Sequence, residues 1–355
     1  MEVSKLAKEM AAYGKEIVNM SVGDTHFPLS AFLQGKIIKA CENGYTHYDK
    51  ASGLDQLRDR IAQSYHVNSA QVIIGNGVKN ILYNYLLTKP GKSVCILEPA
   101  WLGYKGICHL TDTEAITINI YENNWLDQLK KLKFEYLILC APNNPDGKLY
   151  SEKEVNTIKS ICTEKGVTLI LDEIYKDYIY EGQHHFKNLY SNSNTIILNG
   201  FSKSHAATGL RIGYGIFKDD QDLDLINRIQ QNTFTCSNTI SQYALSFFQE
   251  NMEYVESYKN YYQNNRDHIS EIIPELTKHK PASGFYYFFP LNDIGINLSA
   301  QEFCKDILNQ KGLALIPGES YGSGFENYVR LSFCIDNHEL QKGICKFREY
   351  IDEHE

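Results

Sequence analysis

The chain has 355 residues, of which 43% are hydrophobic and 22% are charged, and its formal net charge is −8. This length allows a large core and more than one domain, and the composition is typical of a globular protein. The negative charge and the lack of a run of five basic residues argue against nucleic acid or an anionic membrane as the main partner.

The absence of a targeting segment and the usage of cysteine both indicate the compartment in which the protein works. Residues 1–17 lack the apolar core of a signal peptide, and no stretch approaches the ~18 consecutive apolar residues of a transmembrane helix. The nine cysteines form no CxxC pair, so we interpret them as buried thiols in a reducing compartment, with no metal site. We therefore expect a cytoplasmic protein.

The first two thirds of the chain alternate between strands and helices. Residues 1–20 predict an amphipathic helix and a short strand, and residues 31–42 predict a second helix. The apolar runs that predict buried strands are 93–97, 115–120, 136–141, 167–171 and 195–198, and the helices among them include 78–87 and 151–165. Strands buried on both faces and separated by helices indicate an α/β domain with a mostly parallel sheet.

After Tyr214 the elements become shorter and more varied. We predict a helix at 222–231, one long helix or two at 239–273, a strand at 285–289, a helix at 300–311, strands near 313 and 328, and a closing helix. This pattern predicts a smaller α+β domain. We assign residues 30–245 to the large domain and residues 1–29 and 246–355 to the small one.

Polar residues follow the apolar runs where the parallel strands end, which is where such sheets bind ligands. The segments are EPAW after 93–97, PNNPDG after 136–141, DEIY after 167–171 and NGFSKSHAATGLRIGY after 195–198. Gly77 opens the helix at Val78, and a helix start suits an anionic group. The loop is not a dinucleotide fingerprint, since Asn80 stands where the third glycine is required.

Lys203 lies among small residues in the segment that follows the predicted strand 195–198. Lysine forms Schiff bases with carbonyl cofactors once desolvation or nearby cations free its amine. A surface lysine in a Ser/Ala/Gly loop is the alternative, and for a lone lysine it is the more common case. The neighbouring motifs therefore decide between the two.

In their order and spacing these motifs resemble the pyridoxal 5′-phosphate (PLP) enzymes of the aspartate aminotransferase fold, fold type I, class I/II. The chain is also similar to histidinol-phosphate aminotransferase-type enzymes. The resemblance runs from SVGDTHFPLS at residues 21–30 to NYVRLSF at residues 327–333, nearly the whole chain. It implies a fold type I transferase that binds PLP, with helices on both faces of the large-domain sheet.

The resemblance implies a role for each residue around the cofactor ring. Lys203 would form the Schiff base with PLP and move the substrate's α-proton, and Asp172 would hold the pyridine nitrogen protonated. Tyr175 and Asn144 would bond the phenolic oxygen O3′, and Trp101 would stack on the ring. Taken alone, these last four residues could equally be a helix cap, a helix-face aromatic, a turn residue and a core aromatic.

The resemblance also implies how the phosphate is held. Arg211, eight positions after Lys203, and the helix start Gly77-Val78-Lys79 would bind it, with Ser202 beside them. Tyr48 would reach the phosphate of a neighbouring subunit, which implies a homodimer with shared active sites. A solvent-facing loop tyrosine is the alternative for Tyr48.

On the substrate side, Arg330 matches the arginine that clamps the α-carboxylate, for which a bidentate guanidinium is suited. Gly23 and Asn144 would line the same site. A structural ion pair is the alternative for Arg330. No second arginine can be placed for the substrate side chain, and the candidates near the motifs are Tyr13, His26, Phe27 and Tyr321.

The chain departs from the family pattern at three positions. Gly200 stands where a serine usually binds the phosphate, Val78 where a hydroxyl is frequent, and Asp146 where the NPTG turn has Thr or Ser. We therefore expect phosphate binding to depend more on backbone amides, Arg211, Ser202 and Lys79.

The sequence thus predicts a PLP-dependent aminotransferase acting on an amino acid and a 2-oxo acid. The same residues serve α-decarboxylases, β-eliminating C–S lyases and cyclising synthases, which stay open as alternatives. A non-catalytic PLP-sensing domain is less favoured, because the first motif near Ser21 leaves no room for a DNA-binding segment and the charge is acidic.

Overall fold

The structure is a computed structural model that describes residues 2–190 and 194–354. Its helices are α1 (Glu2–Ala12), α2 (Ala31–Glu42), α3 (Asp55–Tyr65), α4 (Val78–Leu87), α5 (Gly103–Leu110), α6 (Trp125–Lys131), α7 (Glu152–Lys165), α8 (Asp220–Thr233), α9 (Thr239–Leu245), α10 (Met252–Ile272), α11 (Ala300–Lys311) and α12 (Asn337–Asp352). Its strands are β1 (Val18–Asn19), β2 (Val72–Gly75), β3 (Ser93–Glu98), β4 (Glu114–Asn119), β5 (Tyr136–Cys140), β6 (Thr168–Asp172), β7 (Thr195–Gly200), β8 (Gly213–Ile216), β9 (Tyr286–Pro290), β10 (Leu313–Ala314), β11 (Ile316–Pro317) and β12 (Tyr328–Ser332).

A seven-stranded sheet of order β2-β8-β7-β6-β5-β3-β4 organises the larger part of the described chain. β8 runs antiparallel to both its neighbours, and the other pairs are parallel. Successive residues of β5 belong to different cores, because side chains along a strand alternate between its faces. Leu137 and Leu139 join the core that includes α6 and α7, whereas Ile138 joins the core that includes α4 and α5. The mostly parallel sheet with helices on both faces is thus confirmed.

β8 was not predicted, because two of its four residues are glycines and glycine weakens a strand pattern. The structure explains Gly213: a Cβ there would lie 2.5 Å from the amide nitrogen of Val78. A Cβ on Gly200, in the neighbouring strand, would lie 3.0 Å from both the Cα of Gly213 and the carbonyl oxygen of Ile212. A side chain at position 200 would therefore be tight against β8, which is consistent with the glycine found there.

The N-terminal segment joins elements from the end of the chain. β1 pairs in parallel with β10, and α12 packs against β1 and α10. β9, β11 and β12 form a separate antiparallel sheet of order β11-β12-β9. The region 239–273, predicted as one helix or two, contains two, α9 and α10.

The interpretation of every cysteine as a buried thiol is wrong at three positions. Cys41 and Cys345 are exposed and Cys236 is half-buried, since the first two lie on helix faces that point to solvent. All nine cysteines are free thiols. Across residues 2–190 and 194–354, no helix combines the length and apolar character needed to cross a bilayer.

Candidate active site

A cavity of about 760 Å³ lies at the edge of the central sheet where the parallel strands end. The loops after β2, β3, β5, β6 and β7 line it from one side, and the sheet of β9, β11 and β12 lines it from the other. The structure brings together here every residue predicted for the site except Tyr48: Gly23, Gly77, Val78, Lys79, Trp101, Asn144, Asp172, Tyr175, Ser202, Lys203, Arg211 and Arg330.

Lys203 follows β7, and its side chain reaches the opposite wall. Its Nζ donates a hydrogen bond to the carbonyl oxygen of Gly23 at 2.5 Å, and its own carbonyl oxygen accepts one from Tyr178 Oη at 2.9 Å. Burial lowers the pKa of Lys203, and the positive charges of Arg330 and Arg211 add to this against the opposite effect of Cys334 and Asp24. An amine that gives up its proton more readily is the nucleophile that a carbonyl cofactor requires.

Asp172, the last residue of β6, carries a buried carboxylate. Its Oδ2 accepts a hydrogen bond from Tyr104 Oη at 2.8 Å, and its Oδ1 accepts one from the amide of Ile174 at 3.1 Å. Burial raises the pKa of Asp172 to about 6, although both hydrogen bonds lower it. A carboxylate in this position favours a cationic or proton-sharing partner within the cavity.

Arg330 leaves part of its hydrogen-bonding capacity unused. Its Nη1 donates to Asn144 Oδ1 at 3.1 Å and its Nη2 donates to the carbonyl oxygen of Ser21 at 2.6 Å. Its Nε is buried and has no hydrogen-bond partner among the described residues. Because unpaired buried donors are costly, this guanidinium at the cavity wall fits an anionic ligand.

The start of α4 and Arg211 form a second anion-binding place. Gly77 precedes the helix with φ +87°, and a Cβ there would lie 2.9 Å from Arg211 Nη2. Arg211 has φ +55° and donates to the carbonyl oxygens of Thr208 at 2.9 Å and Asn76 at 3.4 Å. Free amides at a helix start beside a guanidinium suit a phosphate group.

Trp101 supplies a flat aromatic wall of the same cavity. Gly103 makes room for it, since a Cβ there would lie 2.2 Å from the indole ring. The ring of Tyr104 meets it edge-on at 5.2 Å between centroids, and Lys79 Nζ lies 5.3 Å from its centroid. An aromatic face in this place suits a planar ring between the phosphate end and the carboxylate end.

The structure places some candidates elsewhere. Tyr48 is 84% exposed and lies in a separate surface depression with His47 and Thr239. Tyr321 lines the cavity, but Tyr13 is exposed, and His26 and Phe27 pack in a neighbouring aromatic cluster.

Among the residues of the cavity wall that sequence reasoning missed are four with functional side chains: Lys5, Lys8, Tyr104 and Tyr286. Tyr104 could have been found, because it lies three residues after Trp101, in the first turn of α5 close behind the end of β3. Tyr286 is hidden in the aromatic run FYYFF.

The residues of the cavity fit PLP. The start of α4 with Arg211 matches its phosphate, the buried carboxylate of Asp172 matches its ring nitrogen, and Trp101 matches its planar ring. Lys203 matches its carbonyl carbon. The unpaired Nε of Arg330 matches a substrate carboxylate beside it. Fold and site together define the class of fold type I PLP-dependent enzymes.

Residues 15–347 match the model of the family "aminotransferase class I and II", and the chain belongs to that family. It is 29% identical to an aspartate aminotransferase of Sulfurisphaera tokodaii over 96% of this chain and 91% of the relative. It is 28% identical to an asparagine–oxo-acid transaminase of Streptococcus mutans over 99% and 96%. The solved structure of Thermus thermophilus aspartate aminotransferase with maleate matches with TM-score 0.89 at 23% identity, over 98% of this chain and 95% of that one.

The chain is therefore an aminotransferase that uses PLP, as the sequence predicted. The similar proteins named above are transaminases, which favours this activity over the decarboxylase, lyase and synthase alternatives.

The buried carboxylate predicts a pH dependence in the cofactor-free protein. Because burial raises the pKa of Asp172 from 3.8 to about 6, the folded state binds a proton there that the unfolded state has lost. This contribution is complete below pH 3.8 and is lost as pH rises through 6, a decrease of up to about 3 kcal/mol. We expect Asp172→Asn to remove it, as measured by urea unfolding of both apo-proteins at several pH values between 4.5 and 7.5.

The exposed Asp59→Asn is the matched control and should keep the wild-type dependence. Equal slopes for wild type and Asp172→Asn would show that Asp172 does not hold a proton in the folded protein.

Proposed function

We propose that the enzyme moves an amino group between an acidic amino acid and a 2-oxo acid. The supporting observation is the charge of the cavity: its described lining residues include the cations Lys5, Lys8, Lys79, Lys203, Arg211 and Arg330 and two carboxylates, Asp24 and Asp172. The cofactor phosphate and one substrate carboxylate use part of this positive charge, and the remainder favours a second carboxylate. The names of the relatives, which include aspartate aminotransferases, agree with this class.

We propose that different residues of the cavity wall bind different parts of the cofactor, each according to its chemistry. Arg211, Ser202, Lys79 and the amides after Gly77 would hold the phosphate. Asp172, supported by Tyr104, would face the ring nitrogen, and Tyr175 with Asn144 would bond the phenolic oxygen. When bound, PLP supplies the electron sink that makes the α-proton of an amino acid removable.

Lys203 and Arg330 would act on the substrate itself. The lowered pKa of Lys203 lets its Nζ accept the proton from the substrate's α-carbon and return it during the transfer. Arg330 would hold the α-carboxylate through its guanidinium, whose Nε is unpaired. Gly23, whose carbonyl oxygen accepts from Lys203 Nζ, would line the space between the two.

Lys203→Ala tests the central role. We expect the visible absorbance of the covalently held cofactor to disappear and amino transfer to slow by at least about 100-fold, because the proton-transferring amine is gone. Absorbance spectra and single-turnover kinetics with aspartate measure both effects. The exposed Lys153→Ala should behave as wild type, and a retained cofactor absorbance in Lys203→Ala would overturn the assignment.

For the second carboxylate we propose the lysines of α1. Lys5 and Lys8 are three residues apart, a spacing that puts both on one helix face, and both line the cavity. α1 packs against α11 and β10, and α11 also contacts β12, the strand that carries Arg330. Lys79 instead follows the helix start assigned to the phosphate.

The double variant Lys5→Met/Lys8→Met should therefore discriminate between substrates. Loss of charged hydrogen bonds should raise KM for aspartate roughly tenfold, with little change for alanine. Lys79→Met should weaken PLP binding and leave the aspartate-to-alanine ratio in place. Steady-state kinetics and PLP titration of the apo-proteins measure these effects. An unchanged aspartate-to-alanine ratio in the double variant would contradict the role of α1.

We propose a homodimer with shared active sites. It is supported by the exposure of Tyr48, 84%, and of the apolar side chain Ile38, 61%, which lie on the α2 side of the molecule. Exposed apolar side chains of this kind are frequent at subunit interfaces.

A mixing experiment tests this sharing. Tyr48→Ala subunits would lack the group donated to a partner's phosphate, and Lys203→Ala subunits would lack the amine. A mixed dimer restores one complete site, so we expect activity well above the sum of the two separate variants after unfolding and refolding them together. Full activity of Tyr48→Ala alone, or no gain on mixing, would contradict shared sites.

We also propose that residues 30–245 form the large domain and residues 1–29 with 246–355 the small one. The pairing of β1 with β10 and the packing of α12 on β1 support this division. The nine free thiols support a reducing, cytoplasmic location.

A further inference from the structure

Tyr286, the first residue of β9, lies where the cofactor side and the substrate side of the cavity meet. It is 2% exposed, and its Oη lies 2.9 Å from Tyr175 Oη. The guanidinium carbon of Arg330 lies 4.0 Å from the centroid of its ring. A Cβ on Gly23 would lie 1.7 Å from the Tyr286 hydroxyl, so the glycine is what leaves room for that group.

These contacts close a circuit of four side chains. Arg330 donates to Asn144, Asn144 Nδ2 donates to Tyr175 Oη at 3.4 Å, Tyr175 bonds Tyr286, and the ring of Tyr286 returns to Arg330. Arg330 carries the proposed contact to the substrate carboxylate, and Tyr175 and Asn144 carry those to the cofactor oxygen. Asn144 and Tyr286 each touch both Arg330 and Tyr175, and Tyr286 is the member with no proposed contact of its own to cofactor or substrate.

We propose that Tyr286 is a positioning residue whose hydroxyl donates to Tyr175 Oη and whose ring supports Arg330, so that it sets the strength of both contacts. The inference rests on the proposed role of Tyr175 as a partner of the cofactor's phenolic oxygen. A tyrosine hydroxyl has one hydrogen and two acceptor sites. When Asn144 and Tyr286 occupy the acceptor sites of Tyr175, its hydrogen is left to point into the cavity.

The donor from Tyr286 also changes how strongly Tyr175 donates. Burial raises the pKa of both tyrosines, so both stay neutral and able to donate around neutral pH. Hydrogen bonds in a chain polarise one another, which makes the hydrogen of Tyr175 a better donor to a phenolic oxygen anion. Without the Tyr286 hydroxyl, the anionic phenolic oxygen of the cofactor is less stabilised. A proton bound close to that anion then has a higher pKa.

Tyr286→Phe tests the proposal, because it keeps the ring and removes the hydroxyl. The visible absorbance of the cofactor bound at Lys203 is titrated against pH with no amino acid present, and the Kd of succinate, a non-reacting dicarboxylate, is measured by calorimetry. We expect the absorbance pKa to shift upward, whereas the Kd of succinate should change little because the ring under Arg330 is retained. Tyr286→Leu, which also removes the ring, should raise that Kd roughly threefold to tenfold. In a Tyr175→Phe background, Tyr286→Phe should cause no further shift of the absorbance pKa.

Tyr321→Phe is the matched control, since the ring of Tyr321 also lies near Arg330, at 5.1 Å, yet the structure records no bond from it to Tyr175 among the described residues. Its absorbance pKa should stay at the wild-type value, and thermal unfolding of each variant checks folding. An unchanged absorbance pKa in Tyr286→Phe, or an equal shift with and without Tyr175, would overturn the proposal. The titration contains no amino acid, so an incorrect substrate class leaves its result intact. A wild-type protein that shows no visible absorbance of a cofactor bound at Lys203 would instead contradict the proposed function.

Discussion

The burial of charged groups at the end of the parallel sheet is the constraint on which the site depends. Asp172 and Arg330 are at most 7% exposed, and burial lowers the pKa of Lys203. Removing charges from water is costly unless they are paired or hydrogen-bonded. The hydrogen bonds from Tyr104 to Asp172 and from Arg330 to Asn144 and Ser21 offset part of this cost. An anionic, ring-shaped ligand can offset the rest of this cost by pairing with the buried groups. Cofactor binding should therefore also stabilise the fold.

Close backbone packing shapes the end of the cavity that is proposed to bind the phosphate. β8 approaches the start of α4 so closely that Gly213 has no room for a side chain, and a Cβ on Gly77 would meet the guanidinium of Arg211. A side chain at position 200 would need β8 to shift slightly, and the amides at the start of α4 lie beside Arg211. An oxyanion bound here would meet backbone donors and a guanidinium, which agrees with the expectation that these groups compensate for Gly200 and Val78.

The sequence predicted those features of the fold and site that depend on local hydrophobic patterns. Continuous apolar runs predicted where β3, β5, β6 and β7 end, so the sequence alone placed Trp101, Asn144, Asp172 and Lys203 at one edge of a sheet. β8 could not be predicted, because its glycines are required by contacts with α4, far away in sequence. The buried-thiol interpretation failed at Cys41 and Cys345 for a related reason: an apolar neighbourhood in sequence does not specify which helix face meets solvent.

Tyr286 marks a different limit of sequence reasoning. In the run FYYFF every residue suits a buried strand, and nothing local distinguishes a hydroxyl that packs from one that bonds a functional group. The distinction arises from pairing: Tyr287 points to the opposite face and donates to the carbonyl oxygen of Arg266, whereas Tyr286 meets Tyr175 and Arg330. Since Arg330 is also tied to Tyr175 through Asn144, a carboxylate that draws Arg330 toward it acts on both of Tyr175's partners at once. The side chains proposed to recognise the substrate and those proposed to face the cofactor are therefore linked through shared contacts, and the hydroxyl of Tyr286 completes that link.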